Sequence, residues 1–156
     1  MSPCVPNEPK LFESEPASGT TVHKISWKAR YSMGIEALDE QRAAFILVLN
    51  ELLAGTMNGL ESEAIGKLLA RLATVMAAHF SLEEEAMAES AFAGLAHHRS
   101  MHQAMLKQVG EFVARNDNAD PNIPLALLNF LRGWFAIHML GDDLLFAHWL
   151  KEQAAR

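Results

Sequence analysis

Apolar residues recur along most of the chain at the spacings of an α-helix. In residues 36–56 they follow one another three, four or seven positions apart, and Gly55 stands where the pattern stops. The same periodicity continues through residues 62–88 and 93–115. Because positions at these spacings share one face of a helix, each stretch predicts an amphipathic helix.

A fourth helical stretch reaches to about residue 152. Asp120 or Asn122 can cap its start, and a proline lies in the first turn, as is common at helix N-termini. Four helices of about 20 to 30 residues, joined by short loops and without a strand pattern, are typical of a helical bundle. The sequence therefore predicts an all-α fold, an antiparallel up-down four-helix bundle.

The residues before the first helix lack this periodicity. Residues 1–24 contain Pro, Glu and Ser without the order of a secretory signal, and they predict a disordered tail or linker. After them comes a segment with Trp27 and Tyr31, which we expect to form an extended arm. The bundle domain is expected to cover residues 25–153.

The composition excludes several classes of function. The chain has 156 residues, 50% of them hydrophobic, which is enough for one domain with a core. A net charge of -6 with scattered Lys and Arg argues against nucleic-acid binding. A single cysteine, Cys4, cannot form an internal disulfide, which fits a reducing compartment. Because the apolar runs are shorter than the roughly 20 residues that span a bilayer, we expect a cytoplasmic protein without a membrane partner.

Two predicted helices each carry a pair of candidate metal ligands four residues apart. His79 and Glu83 form one pair, and His98 and His102 form the other. Side chains at this spacing point in nearly the same direction and can bind one ion. Two imidazoles on one face suit iron, zinc or copper, so the second pair is the stronger signal.

The fourth helix adds His138, followed by Asp142 and Asp143. Each group has an ordinary explanation when taken alone: a surface ion pair, a chance spacing, or a hydrogen-bonded core histidine. Together, three coincidences on three successive helices would be required. Since the inward faces of a bundle meet in its core, the three groups predict one buried metal site.

The acidic run after His79 is expected to have two faces. Glu83 faces the site, whereas Glu84 and Glu85 are expected to be solvated. His97 and His148 share no face with the cluster and are not expected to be ligands.

The ordered motifs W…Y…GI…LDEQ, HF…EE…M, H…H and W…H…D, over about residues 25–150, resemble those of hemerythrins and bacterial hemerythrin-like domains. In that family a four-helix bundle holds two irons bridged by an oxygen species and two carboxylates, and the diferrous form binds dioxygen reversibly. The resemblance implies His79 as a ligand of one iron, His98, His102 and His138 as ligands of the other, and Glu83 and Asp143 as the bridging carboxylates.

One position departs from the family pattern. The family has a histidine directly after DEQ, where this chain has Arg42. A guanidinium has no lone pair to donate to a metal, so the iron beside His79 lacks a ligand. We expect two irons, the second held by fewer protein ligands. Alternatively the site is mononuclear, with Arg42 paired to Glu83 or Asp143, or it binds no metal and Arg42 forms a core salt bridge. His23 is a less favoured replacement ligand.

Spacing and family pattern disagree on the partner of His138. On a straight α-helix, residues four apart differ by about 40° around the axis and residues five apart by about 140°, which favours Asp142. The family pattern uses the fifth residue, Asp143. We expect Asp143, with Gly141 permitting a π-like widening of the turn, and keep Asp142 as the alternative.

The predicted function is therefore a non-enzymatic iron protein that binds dioxygen or nitric oxide for sensing, transport or scavenging. Trp134, one turn before His138, is expected to form a wall of the ligand pocket. Two alternatives stay open: a di-iron peroxidase or nitric-oxide-reducing enzyme, and a metal-free signalling module. Zinc or manganese would also suit these donors.

Overall fold

The computed structural model describes residues 24–156, and within them every regular element is helical. Four long helices form an antiparallel bundle, which confirms the predicted fold class. Their bounds differ from the predicted ones by only a few residues. The helices are α1 (Glu36–Met57), α2 (Ser62–Glu89), α3 (Leu95–Asp117) and α4 (Ile123–Ala154).

Short loops connect the helices and set their antiparallel order. The loop between α1 and α2 turns at Gly59, whose φ of 69° lies in the left-handed region that glycine adopts without strain. Asn122 occupies the position before α4, with Pro124 in the first turn, but its side chain makes no capping hydrogen bond. Asp120 instead accepts a hydrogen bond from the Asn122 backbone N–H at 2.9 Å.

The N-terminal arm packs against α1 rather than standing free. Ile25 and Tyr31 are buried, and the Asn50 side chain hydrogen-bonds both the N–H and the carbonyl of Ile25 at 2.8 Å. A short 3₁₀ turn, Ala29–Tyr31, bends the otherwise extended arm before α1. Residues 1–23 of the predicted tail, with Cys4 and His23, lie outside the described residues, and the domain boundary stays a prediction.

The apolar core consists of two clusters with a polar layer between them. Along α1, Arg42 separates Leu38 of the smaller cluster from Phe45 of the larger one. The same order holds on the other helices, with Glu83 between Phe80 and Met87 on α2 and Asp143 between Met139 and Phe146 on α4. The polar layer is therefore enclosed by apolar packing at both ends.

The middle of α4 is widened into a π-helix, Trp134–Asp142. The backbone N–H of Asp143 donates to the carbonyl of His138, five residues earlier. This hydrogen bond brings residues five apart onto one face, so the predicted widening is confirmed. The role predicted for Gly141 is not supported, because its φ is not positive and an added Cβ would meet only the Ala136 carbonyl at 4.0 Å.

Two helices, α2 and α4, are long and apolar enough to cross a membrane by length and composition alone. The sequence-based expectation of shorter apolar runs is wrong for these helices, because isolated charges and Gly141 do not end them. Both helices carry a fully buried carboxylate that faces the bundle, and core helices of soluble proteins meet the same criterion. The expected absence of a membrane partner stays a prediction.

Replacing Gly141 with Ala should leave the π-helix intact and raise the free energy of unfolding by up to about 1 kcal/mol, because alanine loses less backbone entropy on folding. Urea unfolding of the metal-free protein measures the change. Gly59→Ala is the matched control and should lower stability by about 1 kcal/mol, because its backbone lies at positive φ. A loss of stability in Gly141→Ala would show that the wide turn needs glycine.

Candidate metal centre

Five buried side chains from three helices converge in the polar layer. Glu83 comes from α2, His98 and His102 from α3, and His138 and Asp143 from α4. Each offers one donor atom, and all five atoms lie within 4.8 Å of one another. The structure thus brings together five of the six residues that the sequence predicted as ligands.

The spacing of the donor atoms fits one six-coordinate cation. The Nε2 atoms of His102 and His138 are 3.0 Å apart, and Asp143 Oδ1 lies 2.9 Å from His138 Nε2 and 3.1 Å from His98 Nε2. Glu83 Oε2 lies 3.3 Å from His98 Nε2 and 3.2 Å from His102 Nε2. Neighbouring donors on an octahedron with bonds of about 2.1 Å are about 3.0 Å apart.

Several of these buried atoms lack a hydrogen-bond partner among the described residues. They include both carboxylate oxygens of Glu83, Asp143 Oδ1, and the Nε2 atoms of His98 and His79. Buried polar atoms are otherwise almost always paired, and an unpaired group needs an explanation. One metal ion would bind Glu83 Oε2, Asp143 Oδ1 and His98 Nε2 together, so the residues present fit a bound cation.

Asp143 rather than Asp142 belongs to the cluster. The Asp143 side chain is fully buried, whereas that of Asp142 is 31% exposed and lies 3.4 Å from His138 Nδ1, on the side away from the other donors. Burial raises the pKa of Asp143, but the imidazoles of His138, His79 and His98 outweigh it and hold the pKa well below its usual value. Asp143 is therefore ionised in this site.

His98 carries a proton when the site holds no metal. Burial lowers the pKa of His98, but the nearby carboxylates of Asp143 and Glu83 outweigh that effect and raise the pKa to about 9. The proton partly balances the two buried carboxylates. Any metal that binds His98 must displace it.

The expectation that Glu84 is solvated is wrong. Its carboxylate lies 2.8 Å from His102 Nδ1 and accepts a hydrogen bond from Arg99 Nε at 2.9 Å. Burial raises the pKa of Glu84, but these two partners outweigh it and lower the pKa. Hydrogen bonding at Nδ1 leaves the lone pair of His102 on Nε2, where the metal would bind. Glu85 is exposed, as expected.

Aromatic rings form the walls of the site. Phe80 stacks on the His102 imidazole, with ring centroids 3.8 Å apart and planes 5° apart. Trp134 is buried and lies 5.8 Å from the His138 ring, which fits the predicted pocket wall. Beside them an open cleft of about 400 Å³ lies between α3 and α4, lined by Met101, Met105, Phe130, Trp134, Ile137 and His138, among others.

His79 lies at the edge of the cluster. Its Nε2 atom is 3.9 Å from both Glu83 Oε2 and Asp143 Oδ2, farther than any donor pair described above. Its Nδ1 lies 3.3 Å from Gln41 Oε1, an oxygen that can only accept, so Nδ1 donates this hydrogen bond. The structure thus places His79 beside the five donors and not among them.

Arg42 is fully buried and points into the site. Its Nη1 donates to Asp143 Oδ2 at 2.8 Å, its Nε donates to the Tyr31 carbonyl at 2.9 Å, and its Nη2 donates to the Met139 carbonyl at 2.8 Å. The pairing with Asp143 is one of the arrangements left open by the sequence. The two remaining histidines are outside the site: His97 is exposed, and His148 pairs with Glu152 at the surface.

Comparison with known proteins agrees with this geometry. Residues 33–150 match the family model described as the hemerythrin HHE cation binding domain, and the chain therefore belongs to the hemerythrin family. It is similar to the bacteriohemerythrin of Stenotrophomonas maltophilia (strain R551-3), with 29% identity over 127 residues, 81% of this chain and 82% of the relative. It is also similar to the bacteriohemerythrin of Clostridium acetobutylicum, with 25% identity over 121 residues, 75% of this chain and 94% of the relative.

Removing the Glu84 carboxylate should weaken metal binding without removing a ligand. In Glu84→Ala we expect the affinity for Co²⁺ to fall roughly 10- to 100-fold, because His102 loses the acceptor that fixes its ring. Competition with a chromophoric chelator measures the affinity. Glu85→Ala, which changes an exposed neighbour, is the control and should bind as the unaltered protein does. Equal losses in both variants would contradict the role of Glu84.

Metal affinity should rise with pH through displacement of the His98 proton. Below its pKa of about 9, the proton competes with the metal for Nε2. The dissociation constant for Zn²⁺ should therefore fall by up to about tenfold per pH unit between pH 7 and pH 9, and level off above. Chelator competition at several pH values checks this. A dissociation constant that is constant over this interval would rule out a protonated His98.

Proposed function

We propose that this protein is a non-haem iron protein that binds dioxygen or a related small oxidant such as nitric oxide at the buried centre. The observation that carries the proposal is the convergence of five donors, three imidazoles and two carboxylates, at the spacings of one six-coordinate ion. Membership of the hemerythrin family supports iron as that ion. The donors are Glu83, His98, His102, His138 and Asp143.

Five protein donors leave one position of a six-coordinate ion for an external ligand. The five donor side chains are buried, and the rings of Phe80 and Trp134 pack against the imidazoles of His102 and His138. The mostly apolar cleft beside Trp134 and His138 offers a small uncharged molecule a way toward the centre. When bound, iron supplies the electrons for ligand binding, and the protein supplies a dry, preorganised set of donors.

The open cleft also favours a second candidate, an enzyme that turns over peroxide or nitric oxide. Turnover requires repeated entry of substrate and exit of product, and a cleft of about 400 Å³ beside His138 would allow both. The two candidates differ in one measurable respect. A binding protein takes up about one equivalent of ligand, whereas an enzyme consumes many equivalents in the presence of a reductant.

The proposal is tested by loading metal-free protein with Fe²⁺ under anaerobic conditions, removing excess metal, and adding nitric oxide or air. We expect retained iron and a change in the absorption spectrum on adding ligand. His98→Ala should lose most of the iron, because it removes one of three imidazoles. His97→Ala, an exposed neighbour, is the matched control and should retain it. Protein that retains no iron would contradict the proposal.

A further inference from the structure

We infer that the Arg42 guanidinium occupies the second metal position, so that this chain binds one metal ion where the family pattern provides for two. The inference rests on the proposed function, because it assumes that the five donors bind a metal. All three guanidinium nitrogens of Arg42, Nε, Nη1 and Nη2, donate hydrogen bonds. The inference differs from the sequence-based expectation of two irons and takes up the mononuclear alternative.

The two oxygens of the Asp143 carboxylate have different partners. Its Oδ1 faces His98 and His138 at 3.1 and 2.9 Å, within the five-donor cluster. Its Oδ2 accepts the hydrogen bond from Arg42 Nη1 at 2.8 Å. A carboxylate that bridges two metals commonly gives one oxygen to each of them. Here the second oxygen already binds the guanidinium.

Arg42 cannot leave this position without leaving polar groups unpaired. Its side chain is fully buried, and its Nε and Nη2 donate to the carbonyls of Tyr31 and Met139. A buried guanidinium without partners is strongly unfavourable, so displacement by a metal would require new partners for the whole side chain. The residues around Arg42 therefore form a binding site for its guanidinium rather than an empty metal site.

The donors left for a second metal are too few. Among residues 24–156, His79 Nε2 is the one imidazole nitrogen on that side, and it lies 3.9 Å from Glu83 Oε2 and from Asp143 Oδ2. Glu83 Oε1 is a further buried donor atom without a hydrogen-bond partner among these residues. A second divalent ion would also lie next to the fixed positive charge of Arg42 and would be repelled by it. With one divalent ion and Arg42, the two buried carboxylates are already balanced with one positive charge to spare.

One metal changes which ligand the site favours. A single ferrous ion has one electron to give where a pair has two. Reversible dioxygen binding by two-electron transfer therefore lacks its second donor. Small ligands that bind without a two-electron step remain suitable, and nitric oxide is the candidate within the proposed function.

The test is the number of metal ions bound per chain. Metal-free protein is titrated with Co²⁺, and bound metal is counted by elemental analysis and by EPR spin counting, because two bridged ions couple magnetically and one does not. We expect one ion per chain in the unaltered protein with the full spin count of an isolated ion. Arg42→His should raise the count to two, because a neutral imidazole donates a lone pair and removes the charge.

Two control variants isolate the cause. Arg42→Lys keeps a cation without a lone pair and should stay at one ion per chain. Arg42→His combined with His79→Ala should return from two ions to one, because the second site then loses its other imidazole. The role of Arg42 would be overturned if the Arg42→Lys variant binds a second ion. It would also be overturned if a folded Arg42→His variant binds only one ion per chain.

The number of metal ions bound by the unaltered protein tests the inference even if the Arg42→His variant does not fold. Two tightly bound, coupled ions in it would overturn the inference and leave the proposed function standing. No bound ion would overturn both. One isolated ion supports both.

Discussion

The burial of two carboxyl groups, those of Glu83 and Asp143, is the constraint on which the structure depends. Both side chains are fully buried, and ions without partners in a protein core are strongly unfavourable. The bundle meets this constraint with positive charge from two sides: Arg42 on one, and on the other the proton of His98 or a metal. Apolar clusters enclose the polar layer at both ends, so the charge balance comes from side chains and a bound ion.

The π-helical segment of α4 is the backbone feature that makes the balance possible. It brings His138 and Asp143 onto one face, and the Met139 carbonyl within it accepts a hydrogen bond from Arg42. A regular α-helix would have turned Asp142 toward His138 and Asp143 away from it. The divided contacts of Asp143, with imidazoles at one oxygen and a guanidinium at the other, follow from this change in winding.

The sequence predicted the fold and four of the converging donors through helical periodicity. The fifth donor, Asp143, came from the resemblance to the hemerythrin family, because regular helical spacing favours Asp142. The sequence did not predict Glu84, which lies about 100° around α2 from Glu83 and acquires its role only through contact with α3. It also left Arg42 open, because a long flexible side chain can point inward or outward from the same backbone position. Gly141 suggested the wide turn for a reason that its surroundings do not support. Tertiary contacts decided each of these points.

The arm before α1 contacts the same network, through the carbonyl of Tyr31 that accepts a hydrogen bond from Arg42. The arm and the candidate metal centre therefore share one buried hydrogen-bond network. Undocking the arm would withdraw an acceptor from a buried guanidinium and change the environment of Asp143. By reciprocity, a metal that alters how Asp143 holds Arg42 alters how firmly the arm is docked. The docking of the N-terminal arm on α1 therefore depends on whether the centre binds a metal.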